Sequence, residues 1–367
     1  MNTRKPVVLL SPLDWGLGHT IRCIPIIDEL WKRNCEVLVA CNPKQKDVLS
    51  LELPSLDFID LAGYDISYGS TRVATLIGLV HQTPSILMAI QREQIWLRKF
   101  LKKNAVDAII SDNRYGLYSE LVPSVLITHQ LGIKSGLGRI VDLAIQKRLY
   151  TFINKFSSCW VPDSPDETIN AAGELSHPAR LPETVVEYIG CLSRLKKGVG
   201  DSGENELLII LSGPEPQRTI LEDILLKELQ TFQGSCVFVR GIVSGNPIPD
   251  FNDIRIINYA QASELSNLMS NSEVVICRSG YTSVMDLLAL GKRAILVPTP
   301  GQAEQEYLAE YLHQKNLAVM AKQTGFCLRS ALDSLKRSAI NMLSVSSDNY
   351  KTSVGNLVDS LSIEEYS

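Results

Sequence analysis

The sequence predicts an α/β protein of two Rossmann-like, doubly wound parallel-sheet domains. Short apolar runs of buried-strand length alternate with helix-period segments along nearly the whole chain, the mark of strand–helix–strand units. A polar, glycine-rich stretch between Cys191 and Asn205, LSRLKKGVGDSGE, interrupts the alternation midway. The length, 367 residues, is too great for one ordinary core and enough for two. These observations set an amino-terminal domain over 1–190, a linker over 191–205, a second domain over 206–345 and a tail over 346–367.

In the first domain Val7–Leu10 reads as a strand, followed by the loop SPLDWGLGH, Ser11 to His19. A helix then runs to about Arg33, kinked at Pro25, which has no N–H to give and whose ring crowds the preceding turn. Further strands are expected at Glu36–Ala40, Asp57–Leu61, Ala108–Ser111, Ser124–Thr128 and Cys159–Val161, with helices between them, notably Pro84 to Lys103. The second domain restarts with a strand at Leu207–Leu211, the loop SGPEPQRT from Ser212 to Thr219, and a helix to about Gln230. Strands follow at Val237–Val239, Ile254–Ile257, Val274–Cys277, Ala294–Val297 and Ala318–Met320, and the tail reads as helical. The clearest stretch is Glu273 to Glu306. Its first apolar run is broken by Arg278–Ser279–Gly280, a helix spans about Thr282 to Leu290, Gly291 stops it, and Pro298 and Pro300 cut the second run.

Composition narrows the function. Hydrophobic residues are 45% and charged ones 21%, as in a soluble globular protein. A net charge of −4 gives a nucleic-acid-binding surface no support. No apolar run approaches a membrane span, and the amino terminus reads as a first strand and not a signal peptide. The eight cysteines are scattered without a C-x-x-C pair, as expected of buried, reduced thiols in a cytoplasmic protein. The histidines show no metal-ligand spacing and there is no Asp-x-Asp, so no metal is expected.

Ligands of such sheets bind at the carboxyl ends of the strands. At the first such end, Gly16 and Gly18 let backbone amides approach an anionic donor at a helix amino terminus. The motif does not extend to G-x-G-x-x-G, since Ile21 stands at the third position, and no acidic ribose ligand follows at dinucleotide spacing. A bound NAD is therefore not expected. His19 supplies an imidazole, the side chain most often used as a general base, or else caps its helix. Asp112, ending the run IISD, either orients such a base or forms an Asp–Asn turn.

The stretch Glu273 to Glu306 resembles the nucleotide-sugar signature of glycosyltransferase family 28, whose members share the GT-B fold, two Rossmann-like domains facing across a cleft. The resemblance implies that Arg278, Ser279 and Gly280 meet the donor diphosphate. It implies that Asp286, where the family usually has Glu, binds the ribose hydroxyls, and that Gln302 or Gln305 reaches the sugar. It aligns His19 with the family's Gly-His histidine and Ser212–Gly213 with a second glycine loop on the donor phosphates, although Pro214 and Pro216 stiffen that loop and remove amides. Arg218 is either a phosphate partner or a solvated first-turn arginine. Tyr259 lies near the family's base site, and His129 and Gln130 lie on the acceptor side of the cleft. A histidine-orienting aspartate in the plant-type UDP-glycosyltransferases corresponds to Asp112. The tail is expected to cross back to the first domain.

The implied activity is metal-independent, inverting transfer of a sugar from a UDP-sugar, UDP-N-acetylglucosamine among the candidates, to a hydroxyl acceptor that is lipid-linked or part of a cell-envelope glycan. The nucleotide sugar is then a substrate and no cofactor is called for. The alternatives are a UDP-sugar 2-epimerase, with Glu304 and Glu306 offered as carboxylates, and a non-catalytic nucleotide-sugar-binding protein. Two segments mix basic and apolar residues, Lys134 to Lys155 and Ile86 to Lys103. Each is either an ordinary amphipathic helix packed on a sheet or a peripheral contact with an anionic membrane at the inner face of the cytoplasmic membrane.

Overall fold

A computed structural model describes residues 4–15, 17–64, 72–166, 168–196, 205–243, 245–341 and 348–363. The chain divides into two compact units. One comprises Met1–Ile66, Val80–Leu192 and Ser346–Ser367, the other Ser67–Leu79 and Ser193–Val345.

The first unit contains a seven-stranded parallel sheet built from β1 (Val7–Pro12), β2 (Glu36–Cys41), β3 (Asp57–Asp60), β4 (Ala108–Asp112), β5 (Ser124–Ile127), β6 (Ser158–Val161) and β7 (Val185–Tyr188). Its strand order is β3-β2-β1-β4-β5-β6-β7, so winding reverses between β1 and β4. The central strands are buried on both faces, as parallel sheets covered by helices require. One core layer joins Val8, Leu10, Val37, Ile110 and Ile127 to Ile26, Ile27 and Leu30. Pro25 does more than kink its helix: two helices form, α1 (Leu17–Arg22) and α2 (Ile24–Lys32), with the break at Cys23 and Pro25 in the first turn of α2. A proline in that turn loses no intrahelical bond. β2 leads to α3 (Pro43–Glu52), capped by Asn42 and Gln45 in a reciprocal capping box. α4 (Arg72–Leu101) continues through Pro84, and beyond it buries Ala89, Ile90, Glu93 and Leu97 at helical spacing. The Ile86–Lys103 segment is thus an amphipathic helix packed on its sheet. α5 (Arg139–Ile153) behaves differently, burying only Ile153 and leaving Ile140, Val141, Leu143 and Ile145 exposed.

The second unit contains a six-stranded parallel sheet of β8 (Asn205–Ile210), β9 (Cys236–Val239), β10 (Ile254–Ile257), β11 (Ser272–Cys277), β12 (Arg293–Leu296) and β13 (Val319–Met320). The order β10-β9-β8-β11-β12-β13 reverses between β8 and β11. Its helices are α6 (Gln217–Leu229), α7 (Ala262–Ser270), α8 (Tyr281–Leu290), α9 (Ala303–Gln314) and α10 (Leu328–Arg337). Gly291 ends α8 in the left-handed conformation, φ 61°, that glycine adopts without penalty. The last helix, α11 (Asn349–Ile363), belongs to the first unit. It packs on α2 through Tyr350, Val354 and Val358, and Arg33 donates to the Lys351 carbonyl at 3.0 Å.

All eight cysteines are free and seven are buried. Among the described residues no group of His, Cys, Asp and Glu could hold a metal, and no helix is long and apolar enough to cross a membrane.

Candidate active site

In a doubly wound sheet, the loops on either side of the winding reversal diverge and leave a crevice at the carboxyl ends of the strands. Each unit has one such point; Asp112 and, on the helix after β1, His19 lie at the first, and Ser212, Gly213 and Arg278–Gly280 at the second.

In the first unit the reversal lies between β1 and β4. β1 feeds α1, which carries His19 in its first turn, and β4 ends on Asp112. Gly18 and His19 are therefore helical and not part of a loop. The chain turns into α1 at Leu17, so Gly18 lies in the first turn of the helix, the amino-terminal place at which the sequence set it. Gly16 lies outside the described residues. His19 Nδ1 lies 3.2 Å from Asp112 Oδ1. An ionised carboxylate only accepts, so Nδ1 carries a proton, and in the neutral ring Nε2 is then the acceptor. The His19 side chain is 13% exposed and Asp112 is buried, so the histidine is the member of the pair that meets solvent.

The sequence did not reveal Arg22 as a site residue. It stands three positions after His19, on the same face of α1. Buried with Asp112, it donates Nε to Oδ2 at 2.7 Å and Nη2 to Oδ1, a two-pronged pair. Its Nη1 reaches His129 Nδ1 at 3.1 Å. Because a guanidinium only donates, that nitrogen accepts, and the proton of neutral His129 sits on Nε2. Burial by itself would push the Asp112 carboxyl up. The Arg22 charge, then His19, outweigh it and hold the group well below the ordinary carboxylate range. Burial pushes the neighbouring Cys23 thiol well up, so it is no nucleophile. The only signal for Arg22 was a cation at the head of the apolar run Cys23–Ile27, a place where an arginine is buried only if paired.

His129 and Gln130 follow β5. The Gln130 amide donates to Thr128 Oγ1 at 3.1 Å, and the turn is pressed against a second loop where Gly132 N donates to the Leu175 carbonyl at 2.7 Å. That second loop is organised by Asp163, fully buried at the end of β6, which accepts from the amides of Ser164, Ala171 and Ala172 and from Ser176 Oγ.

In the second unit the reversal lies between β8 and β11. After β8 come Ser212 and Gly213. Gly213 has φ +103° with open space where a Cβ would point. Such a backbone needs glycine and leaves room beside it. After β11 come Arg278, Ser279 and Gly280, the last being the N-cap of α8. Arg278 does not present its charge to solvent. It is fully buried and donates to the carbonyls of Val297 and Pro298, both at 3.2 Å, and of Gln217 at 2.7 Å. Burial pushes its guanidinium down to about 10. The predicted diphosphate contact is thus replaced by a brace that ties the ends of β11 and β12 to the start of α6. Arg218 is likewise occupied, with Glu215 at 2.5 Å, with Glu222, and with Thr219 Oγ1 at 2.7 Å, so it is neither solvated nor open to phosphate.

Ser279 Oγ donates to the Gln305 carbonyl at 2.8 Å, and Gln305 Oε1 accepts from the Thr299 amide at 2.9 Å. Gln305 thereby builds the turn, while Gln302 is the N-cap residue of α9. Gln302 Oε1 and Thr299 Oγ1 are buried without a partner among the described residues. Buried polar atoms normally have one; Thr299, which the sequence did not single out, shares this state with Gln302 on the same turn. Asp286, on α8, accepts from Ser193 Oγ at 2.5 Å. Burial pushes its carboxyl up to about 6, against the hydrogen bond from Ser193 and the charge of Arg194. Tyr259 is half-buried, two residues beyond β10.

Comparison with known proteins fits this geometry. Residues 242–355 match the model described as Glycosyltransferase family 28 C-terminal domain. The chain is 23% identical over 340 residues, 87% of its length and 86% of the relative's, to the UDP-N-acetylglucosamine--N-acetylmuramyl-(pentapeptide) pyrophosphoryl-undecaprenol N-acetylglucosamine transferase of Haemophilus ducreyi. It is 29% identical to the protein of the same name from Prochlorococcus marinus over 143 residues, 37% of this chain and 38% of that one. Among solved structures, MurG of Acinetobacter baumannii superposes with a TM-score of 0.53 at 16% identity, covering 98% of this chain and all of the other. Phytolacca americana UGT2, complexed with UDP-2fluoro-glucose and pterostilbene, gives 0.60 at 15% identity, covering 99% and 95%. The chain is a glycosyltransferase of the GT-B fold, and its residues 242–355 match the family 28 C-terminal-domain model.

Proposed function

We propose that the chain transfers N-acetylglucosamine, with inversion, from UDP-N-acetylglucosamine to a hydroxyl of a lipid-linked acceptor. The observation that carries the reading is the winding reversal itself. Both units collect their polar residues there, His19 and Asp112 in one, and Gly213, Thr299, Gln302 and Asp286 nearby in the other. The donor and acceptor chemistry follows the likeness to the undecaprenol-linked transferases.

In this reading His19 Nε2 removes the acceptor proton as the hydroxyl oxygen bonds to the anomeric carbon and the bond to UDP breaks. Asp112 fixes the tautomer that leaves Nε2 free. Amides at Ser212–Gly213 and at the start of α8 stabilise the charge growing on the departing diphosphate. Asp286 accepts from the ribose hydroxyls, exchanging its Ser193 partner for them, and Tyr259 stacks on the base. Thr299 and Gln302 take hydroxyl or amide groups of the sugar. His129 Nε2–H and Gln130 face the acceptor. Arg278 acts only by holding the donor turns in place.

The reading is tested by incubating the protein with UDP-[14C]N-acetylglucosamine and an undecaprenyl-pyrophosphoryl glycan, and following label into lipid. Transfer that disappears in His19→Ala, with UDP still bound, supports it. Labelled N-acetylmannosamine formed without acceptor would favour the epimerase instead. The basic, exposed apolar face of α5 supports a peripheral contact with anionic lipid, the site at which such an acceptor is presented.

A further inference from the structure

Arg22 has no role in the reading above, yet it is the most tightly held side chain of the first site. It is a buried cation on the same short helix as His19. It grips both oxygens of the carboxylate that orients His19, and its remaining arm fixes the ring of His129. The geometry points to Arg22 as a positioning residue with two tasks: it neutralises Asp112, so that His19 is aimed without being made strongly basic, and it locks His129 as an N–H donor at Nε2.

The first task follows from charge counting. A lone buried aspartate beside His19 would stabilise the imidazolium and keep the base protonated at neutral pH. Arg22 cancels most of that attraction while leaving Oδ1 to accept from Nδ1. The other groups facing the pair do not do this. Cys23 and Tyr115 are held neutral by burial, and His129 is turned toward Arg22 by its acceptor nitrogen. The second task follows from donor and acceptor logic alone. A neutral His129 bonded to Arg22 through Nδ1 carries its proton on Nε2, so that edge of the ring donates and does not accept, which disfavours a group that needs an acceptor there.

This inference rests on His19 being the base, and the two fail separately. The histidine side chains of wild type, Arg22→Lys and Arg22→Gln are titrated by NMR, His19 being assigned by its loss in His19→Ala. The titration needs no activity. In Arg22→Gln the His19 midpoint should rise by at least about one pH unit, and the acid limb of kcat/KM should move alkaline with it. In Arg22→Lys, which keeps the charge and loses the fork, the midpoint should stay within about half a unit of wild type, while acceptor KM rises through the freed His129. A His19 midpoint that stays put in Arg22→Gln overturns the proposal even if activity falls, since a purely structural arginine would give that result. Full turnover in His19→Ala overturns the catalytic reading and leaves the titration to be judged by itself. If Arg22→Gln fails to fold, Arg22→Lys decides: an unchanged acceptor KM overturns the role assigned to His129, and a displaced midpoint overturns the charge-balancing role.

Discussion

At the residue scale, the charge arithmetic of two aspartates sets opposite pH behaviours. Asp112 is held below its ordinary value by Arg22 and His19. Its contribution to stability is therefore present above the unfolded-state value and is lost as pH falls through the folded one. Asp112→Asn leaves the Arg22 charge buried and unmatched, at a cost of about 3–5 kcal/mol in urea denaturation, together with a loss of turnover of about a hundredfold or more as His19 loses its tautomer. Asp286 is the reverse case. Its carboxyl is raised from 3.8 to about 6, so the folded state is penalised progressively as pH rises between those values, and fully above them. Asp286→Asn keeps an oxygen to accept from Ser193 and removes the charge. Denaturation at pH 7.5 should show a gain of up to about 3 kcal/mol that vanishes near pH 4. UDP affinity, measured by calorimetry, should fall in the same variant, because a carboxylate accepts from a ribose diol better than an amide.

At the element scale, two loops pressed together set the acceptor-side turn. A Cβ on Gly132 would lie 2.0 Å from the Glu174 carbonyl oxygen, and neither backbone has slack, since Gly132 N already bonds to the Leu175 carbonyl. Gly132→Ala should raise acceptor KM several-fold with donor KM unchanged in steady-state assays, and lower the midpoint of thermal unfolding. The elements themselves were largely legible. Every strand expected from an apolar run formed, within a residue or two at its ends, because parallel strands buried on both faces have no polar partner to blur them. β7 was missed because it is a sheet edge, with Val185 and Val186 beside the polar Glu187 and Tyr188, and shows no buried run. The places of the candidate residues were legible near strand ends: Asp112 closes β4, Gly213 follows β8 and His19 lies on the helix after β1. It was illegible where a long side chain turns back into the protein. Nothing in a linear sequence says whether the guanidiniums of Arg278, Arg218 and Arg22 face a ligand, a carbonyl or a carboxylate. Of the three, Arg22 faces Asp112, the partner of His19.

For the whole molecule, α5 and α11 matter most. α5 leaves an apolar stripe in solvent, Ile140 being 86% exposed, next to Arg139, Lys147 and Arg148. Replacing Ile140 and Leu143 by Glu should abolish flotation with phosphatidylglycerol vesicles and lower turnover on a lipid acceptor, while transfer to a short-chain, water-soluble one is kept. Flotation unaffected by these changes would separate the helix from any membrane role. α11 completes the first core. Val354 is fully buried there, and Tyr350 and Val358 are nearly so. Each buried side chain of this size contributes about 1.5–3 kcal/mol, against a total of about 5–15 kcal/mol for a domain. A chain ending at residue 347 should therefore lose cooperative unfolding of the first unit in calorimetry and keep that of the second.

The return of α11 onto α2 also dictates an order of events during synthesis. The earlier segments of the first unit leave the ribosome before α11 and lack that helix until Asn349–Ile363 is made. At about 5–20 residues per second, the interval from Leu192 to α11 is roughly 10–30 s, long enough for the other unit to fold in the meantime. Throughout it, the part of α2 that Tyr350, Val354 and Val358 come to cover stands without its partner helix. The half of the protein that is translated first is therefore the half that matures last.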